Sequence, residues 1–248
     1  MTVLITGGTK GIGLAIARRL APVHGRVVLA YHSDEAAART AHAEITALGA
    51  AVETVRCDVG SAVGAADLMG EIERQGHGLT HIVHSAAMIY PTSLLGADLD
   101  KFRQAVETNG LSLLYLVHAA QALLDRGSSV VFITSTGSRI PSPNYGALGV
   151  GKALAEAIIR YLVAELAPRG VRINGVAPGL VHTTSVAAML GSEAAAQAAV
   201  DRAARTNPSG RESRDSDYAA LVEFLLGPEA EFIQGQVIAA TGGTGVIG

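Results

Sequence analysis

The chain has 248 residues, 49% of them hydrophobic, with 29 glycines and no tryptophan; this admits one large domain or two small ones and a sizeable core. The formal charge is −3 and no basic block is present, which argues against a nucleic-acid-binding surface. Cys57 is the only cysteine, so no intramolecular disulfide forms, and no apolar run reaches the ~20 residues of a membrane helix. The chain opens on a strand-like TVLITGG instead of a charged segment followed by an apolar stretch, so no signal peptide is evident and a cytoplasmic protein is expected.

In chain order, TVLIT (2–6) reads as a strand, followed by TGGTKGIG (6–13) and a helix over 12–20. Glycines at 7, 11 and 13 let the backbone turn tightly and approach a pyrophosphate, whose charge is favoured at a helix N-terminus. RVVLAY (26–31) is the second strand. It ends in Tyr31, His32 and Ser33, with Asp34 next at a helix N-cap position before a helix over 34–48. A carboxylate at the strand end would hold the ribose hydroxyls of NAD and repel a 2′-phosphate. Its absence there, with Lys10 in the glycine loop, favours NADPH; a solvated surface lysine is the alternative for Lys10. AVETVRC (51–57) is a third strand, and Asp58 after it either binds an adenine amino group or caps the helix over 62–75.

HIVHSA (81–86) is the fourth strand and 98–124 a long helix; SSVVFITS (128–135) is the fifth, followed by a helix over 146–167. VRINGVA (171–177), a helix over 215–226 and QVIAA (236–240) complete the pattern. Strands alternating with helices, each strand a continuous apolar run, predict a parallel sheet covered on both faces, with right-handed crossovers. The segment 183–212 lacks this rhythm and is expected to be a lid or binding segment. Its Arg202 and Arg205 read either as contacts to a phosphopantetheine or CoA phosphate or as a solvated helical face. TGGTGVIG (241–248) nearly repeats the glycine loop but no helix follows it. It reads as a tail near the cofactor or at an oligomer contact.

Together Gly7/Gly11/Gly13, CDV (57–59), ETN ending at Asn109, ITS ending at Ser135, Lys152 and VAPGLVHT (176–183) resemble the short-chain dehydrogenase/reductase family over essentially the whole length. The resemblance implies a single doubly wound Rossmann domain over 1–248, α/β with a seven-stranded parallel sheet, and a homotetramer packed through the long helices after strands four and five. It places cofactor contacts at Gly7, Thr9, Lys10, Gly11, Ile12, Gly13, Tyr31, His32, Ser33, Asp58, Val59, Ala86, Lys152, Pro178, Gly179, Val181 and Thr183. Carried over by position, Lys152 holds the nicotinamide ribose, Ser135 orients the substrate and Asn109 holds a water that relays protons. Two departures stand out. The fourth strand ends in HSAA, His84 to Ala87, instead of Asn-Asn-Ala-Gly, so the bonds that brace the central sheet are in doubt. His84 reads as a satisfied buried histidine without a catalytic role. Leu148 occupies the place of the catalytic tyrosine, four residues before Lys152.

Tyr145, seven residues before Lys152, shares its helix face to within about 20° but lies ~10.5 Å away along the axis, against ~6 Å for the ordinary spacing. Pro143 predicts that the helix starts near Asn144, so the phenolic oxygen is expected one turn further from the ribose. Tyr-x6-Lys resembles the NADPH-dependent enoyl-acyl-carrier-protein reductases of the same superfamily. In enoyl reduction hydride lands on Cβ and charge develops on the more distant thioester oxygen, which suits a displaced donor. Ser135 and Asn109 instead suit carbonyl reduction. The expectation is an NADPH-dependent enoyl-thioester reductase acting on acyl carrier protein or CoA thioesters. The alternatives are a carbonyl (keto) reductase with a rearranged site and a non-catalytic NADPH-binding subunit. The segment 184–212 would be the substrate lid.

Overall fold

A computed structural model describes residues 1–245 of the chain. Its sheet has seven parallel strands in the order β3-β2-β1-β4-β5-β6-β7. These are β1 (Thr2–Thr6), β2 (Arg26–Tyr31), β3 (Ala51–Arg56), β4 (His81–His84), β5 (Ser129–Ile133), β6 (Arg172–Pro178) and β7 (Val237–Ala240). β1, β4 and β5 are buried along their whole length, which is why their central residues, 3–5, 82–83 and 130–133, are apolar without alternation. Strand order reverses between β1 and β4, and the crevice outside the carboxyl ends of these strands is where doubly wound sheets bind ligands.

Helices cover both faces. On one side α1 (Gly11–Leu20), α2 (Glu35–Ala47) and α9 (Asp215–Leu226) bury Ile16, Leu20, Ile45, Val222 and Leu225 against the sheet. On the other, α3 (Ala62–Arg74), α5 (Ser112–Ala119) and α6 (Gly146–Leu166) bury Leu68, Ile72, Leu113, Leu116, Ile159 and Leu162. Each such aliphatic side chain contributes roughly 1.5–3 kcal/mol on leaving water. Two of these helices start on a side-chain cap. Asp34 accepts from Ala37 N–H, and Ser61 accepts from Gly64 N–H. Ser61, and not Asp58, therefore caps α3.

Two expected segments differ. The helix predicted over 98–124 is α4 (Leu99–Val106), a π turn (Glu107–Leu111) and α5, which ends at Ala119. The turn brings the Asn109 side chain onto the main chain of Met88, with Oδ1 accepting from Met88 N–H and Nδ2 donating to Met88 O, both at 2.9 Å. The segment 183–212 is largely helical, with α7 (Thr184–Leu190) capped by Thr183 and α8 (Glu193–Thr206) capped by Ser192. Of the terminal string 241–248, the described part folds back through Thr241–Thr244 and packs on Asn207, Pro208 and Ile140; residues 246–248 lie outside the described residues.

The HSAA departure has a structural answer. His84 is fully buried at the end of β4, with Nδ1 2.5 Å from Thr6 Oγ1 and Nε2 2.6 Å from Ser112 Oγ. Ser112 spends its one hydrogen on Thr108 O, so it accepts from His84 Nε2–H. Nδ1 then accepts from Thr6, whose oxygen in turn receives Ala86 N–H. One neutral imidazole thus ties β1 to α5 through a chain of bonds running in a single direction. Burial and the nearby Lys152 ammonium hold its pKa down to about 3.

Candidate active site

A cleft of ≈1150 Å³ opens at the carboxyl ends of the central strands. At its β1 end the chain turns into α1 through glycines that side chains would block. Gly7 has φ +64° and a Cβ there would lie 2.9 Å from Ala86 main-chain atoms; one on Gly13 would lie 2.3 Å from Gly7 O. Lys10 gives α1 no side-chain cap. The first N–H groups of that helix are therefore left facing the cleft, where a phosphate is favoured. Thr183, the α7 cap, sits across from Gly11, its methyl 3.5 Å from the position of a Cβ. These features fit the pyrophosphate of a dinucleotide.

Beyond the cradle, Lys10 Nζ forms an ion pair with Asp34 at 2.9 Å, so the carboxylate missing from the strand end is nonetheless beside the adenosine side of the cleft. It is committed both to Lys10 and to capping α2, and the two contacts hold it below the usual carboxylate range. Asp58 accepts from Gly60 N–H and lines the same end with Val59 and Ser61.

The reactive end is built from β5 and α6. Asn144 adopts φ +59°, and Thr92 N–H donates to its carbonyl, pinning the chain where α6 begins. Tyr145 is the N-cap of that helix. Its ring lies over Gly137, where a Cβ would approach Tyr145 Cε1 to 2.4 Å. The ring thereby reaches back across the turn, and the hydroxyl donates to Ser135 Oγ at 3.0 Å. The displacement expected from helix geometry is thus spent on meeting Ser135. Ser135 Oγ also accepts from Gly137 N–H, so both lone pairs are used and its own hydrogen is free to donate. Burial pushes the Tyr145 phenol up, and the bond to Ser135 opposes this.

Lys152, two turns along α6, is almost completely buried. It donates to Ile133 O at 2.7 Å and lies 4.4 Å above the Phe132 ring. Burial lowers its pKa to about 7. Leu148, in the ordinary tyrosine place, lines the cleft as an apolar wall.

Comparison with known proteins gives the family. A family model described as "Enoyl-(Acyl carrier protein) reductase" matches residues 7–245. The chain belongs to the short-chain dehydrogenase/reductase family. A 1-cyclohexenylcarbonyl-CoA reductase of Streptomyces collinus is 30% identical over 98% of this chain and 86% of its own length. A short-chain dehydrogenase from Burkholderia cenocepacia solved in complex with NADP superimposes with a TM-score of 0.88, at 28% identity, over 98% of this chain and 97% of that one. A promiscuous reductase that catalyses keto-reduction at C1 during lugdunomycin biosynthesis superimposes with a TM-score of 0.86, at 29% identity, over 99% and 98%.

In this short-chain dehydrogenase/reductase, every cofactor residue named from the sequence lines the cleft, as do Ser135, Tyr145 and Lys152. Asn109 does not: it is buried beneath Met88, with both ends of its amide bonded to that residue. Sequence reasoning missed Met88 and Ile89 on the cleft wall, which no motif marks; Met189 and Leu190 on the same wall belong to the segment expected as the lid. It also missed the buried Glu156 behind Ser135. Its one visible signal is a charge four residues after Lys152, on the same helix face.

Proposed function

We propose that this chain is an NADPH-dependent reductase of the C=C bond of an enoyl thioester, carried on acyl carrier protein or CoA. The observation that carries the reading is the Tyr145–Ser135 pair reached from a tyrosine seven residues before Lys152, with Leu148 replacing the usual donor by apolar surface. The cofactor, when bound, supplies hydride to the Cβ carbon. Negative charge then gathers on the thioester oxygen, the free hydrogen of Ser135, polarised by Tyr145 O–H behind it, bonds that oxygen, and a proton taken up from solvent at Cα completes the reduction. Lys152 would hold the nicotinamide ribose, and its ammonium would favour the anionic oxygen electrostatically. The wall formed by Met88, Ile89, Leu148, Leu180, Met189 and Leu190 carries no charge, which suits an acyl chain. α7 and α8 form the lid over it. The named substrate of the Streptomyces relative is itself an α,β-unsaturated thioester.

A β2 end, Tyr31-His32-Ser33, without a carboxylate of its own supports NADPH over NADH, and the Burkholderia neighbour holds NADP; Lys10 would have to leave Asp34 to meet a 2′-phosphate. Assembly as a homotetramer is in keeping with the exposed apolar side chains of Leu99, Leu114, Val150 and Tyr161 on α4, α5 and α6. No helix among the described residues is long and apolar enough to cross a membrane, and a cytoplasmic location completes the reading.

A second reading, carbonyl reduction, is favoured by one contact: Ser135, whose free hydrogen can bond a ketone oxygen, is backed by the Tyr145 hydroxyl. NADPH oxidation followed with crotonyl and acetoacetyl thioesters side by side separates the two. The proposal expects turnover of the crotonyl thioester, lowered about 10²–10⁴-fold in Tyr145→Phe. Turnover of the ketone alone would replace it with the second reading.

A further inference from the structure

Glu156 is a carboxylate in a place where a helix in a Rossmann fold ordinarily buries an aliphatic side chain. It is 4% exposed and lies one turn beyond Lys152 on α6. Three donors converge on it, all from the segment carrying Ser135. Thr134 Oγ1 donates to Oε1 at 2.7 Å, Ser138 Oγ lies 2.6 Å from the same oxygen, and Arg139 Nε donates to Oε2 at 3.1 Å. Ser138 also lies 2.7 Å from Ser135 O, so its single hydrogen is shared between the carboxylate and the carbonyl of the serine itself. Lys152 holds Ile133 from the same face of the same helix. The residues immediately before Ser135, and the turn immediately after it, are thus gripped from α6 at four points.

A buried ion is retained at a cost, and here the cost falls beside the reacting hydroxyls. Thr134 is buried and lines the cleft with Ser135 and Gly137. Gly137, which the Tyr145 ring covers, lies within the gripped turn. A shift of that turn moves Ser135 Oγ and the surface under Tyr145 together.

Resting on the reductase reading above, we propose that Glu156 is a positioning residue: it acts through Thr134 and Ser138 to hold Ser135 at hydrogen-bonding distance from Tyr145. It touches neither substrate nor cofactor. Its oxygens serve as acceptors, so glutamine, which keeps a carbonyl for Thr134 and Ser138, preserves the function. Alanine removes it, and aspartate, one methylene shorter, weakens it.

Two measurements on the full chain test this. In steady state, Glu156→Ala is expected to lower kcat about 100-fold, as misplacement by an ångström does, with the NADPH dissociation constant unchanged and Glu156→Gln restoring most of the turnover. Independently of any substrate, the cofactor-free protein labelled with ¹³Cζ-tyrosine reports on the phenol itself. The Tyr145 resonance, one of six and assigned by its loss in Tyr145→Phe, is expected to shift in Glu156→Ala and to stay in place in Glu156→Gln. If Glu156→Ala fails to fold, Glu156→Asp serves in its place with the same sign. An unmoved resonance together with wild-type kcat would overturn the proposal. A wild type that reduces neither thioester would instead overturn the functional reading, and the spectrum would still decide the role of Glu156.

Discussion

Replacing Lys152 with methionine is expected to stabilise the cofactor-free protein while abolishing turnover. Lys152 contacts a carbonyl and an aromatic face, neither of them an anion, and burial lowers its pKa from 10.5 to about 7. Between those values the unfolded chain binds more protons than the folded one, so stability rises with pH. The lysine costs nothing above pH ~10.5 and its full penalty below ~7. At about 1.36 kcal/mol per pH unit, the penalty at pH 7 is about 4 kcal/mol. Methionine fills similar volume but gives up the bond to Ile133 O, worth about 1 kcal/mol. A net gain of about 2–3 kcal/mol therefore remains. Raising the pH to 9 relieves the wild type of about 2 kcal/mol and leaves the variant unchanged, so the two unfolding curves approach each other. Urea unfolding of both proteins at pH 7 and 9, at one protein concentration and without cofactor, measures this. A variant less stable than wild type at pH 7, or a difference that ignores pH, would refute the reasoning.

The parts of the fold legible in the sequence are those where one residue type reports its own surroundings. β1, β4 and β5 announce themselves because both faces are buried, and the glycine loop because Gly7 and Gly13 sit where a side chain would strike backbone. What was hidden depends on partners distant in sequence. Nothing within 98–124 shows that Asn109 will bond to Met88 and break the helix into a π turn. Nothing in the alanine-rich 184–206 shows which side faces inward, since alanine gives little contrast between faces; Ala187, Ala196 and Val200 turn out to be the buried positions. The tyrosine illustrates the limit best. Helix arithmetic puts Tyr145 at the start of α6, where it is the N-cap, but says nothing of the ring, which folds over Gly137 to reach Ser135. The carboxylate that positions Ser135 was invisible for the same reason: its three donors come from another segment.

Two further outcomes follow from the same contacts. Gly13→Val places a side chain against Gly7 O, where even a Cβ would stand 2.3 Å away; the atoms it would meet are backbone of Gly7 and Gly8, with no soft side chain to yield. NADPH affinity, followed by cofactor fluorescence, is expected to fall by at least about tenfold, and unchanged affinity would remove the cradle from this loop. The protein should also lose stability in mild acid well before its carboxylates titrate. Burial holds His81 near pKa 4 and His84 near 3, so both stay neutral in the folded state while the unfolded chain takes up protons below about 6.5. Their contribution is complete above that value and falls as pH drops through it towards the folded pKa values. From pH 7 to 5 each histidine costs about 2 kcal/mol, about 4 kcal/mol for the pair. Urea midpoints across that range measure the loss. A flat profile would mean that both histidines take up protons in the folded protein, which for His84 requires Thr6 Oγ1 to accept a second N–H and to turn its own hydrogen away from the ring to a new acceptor.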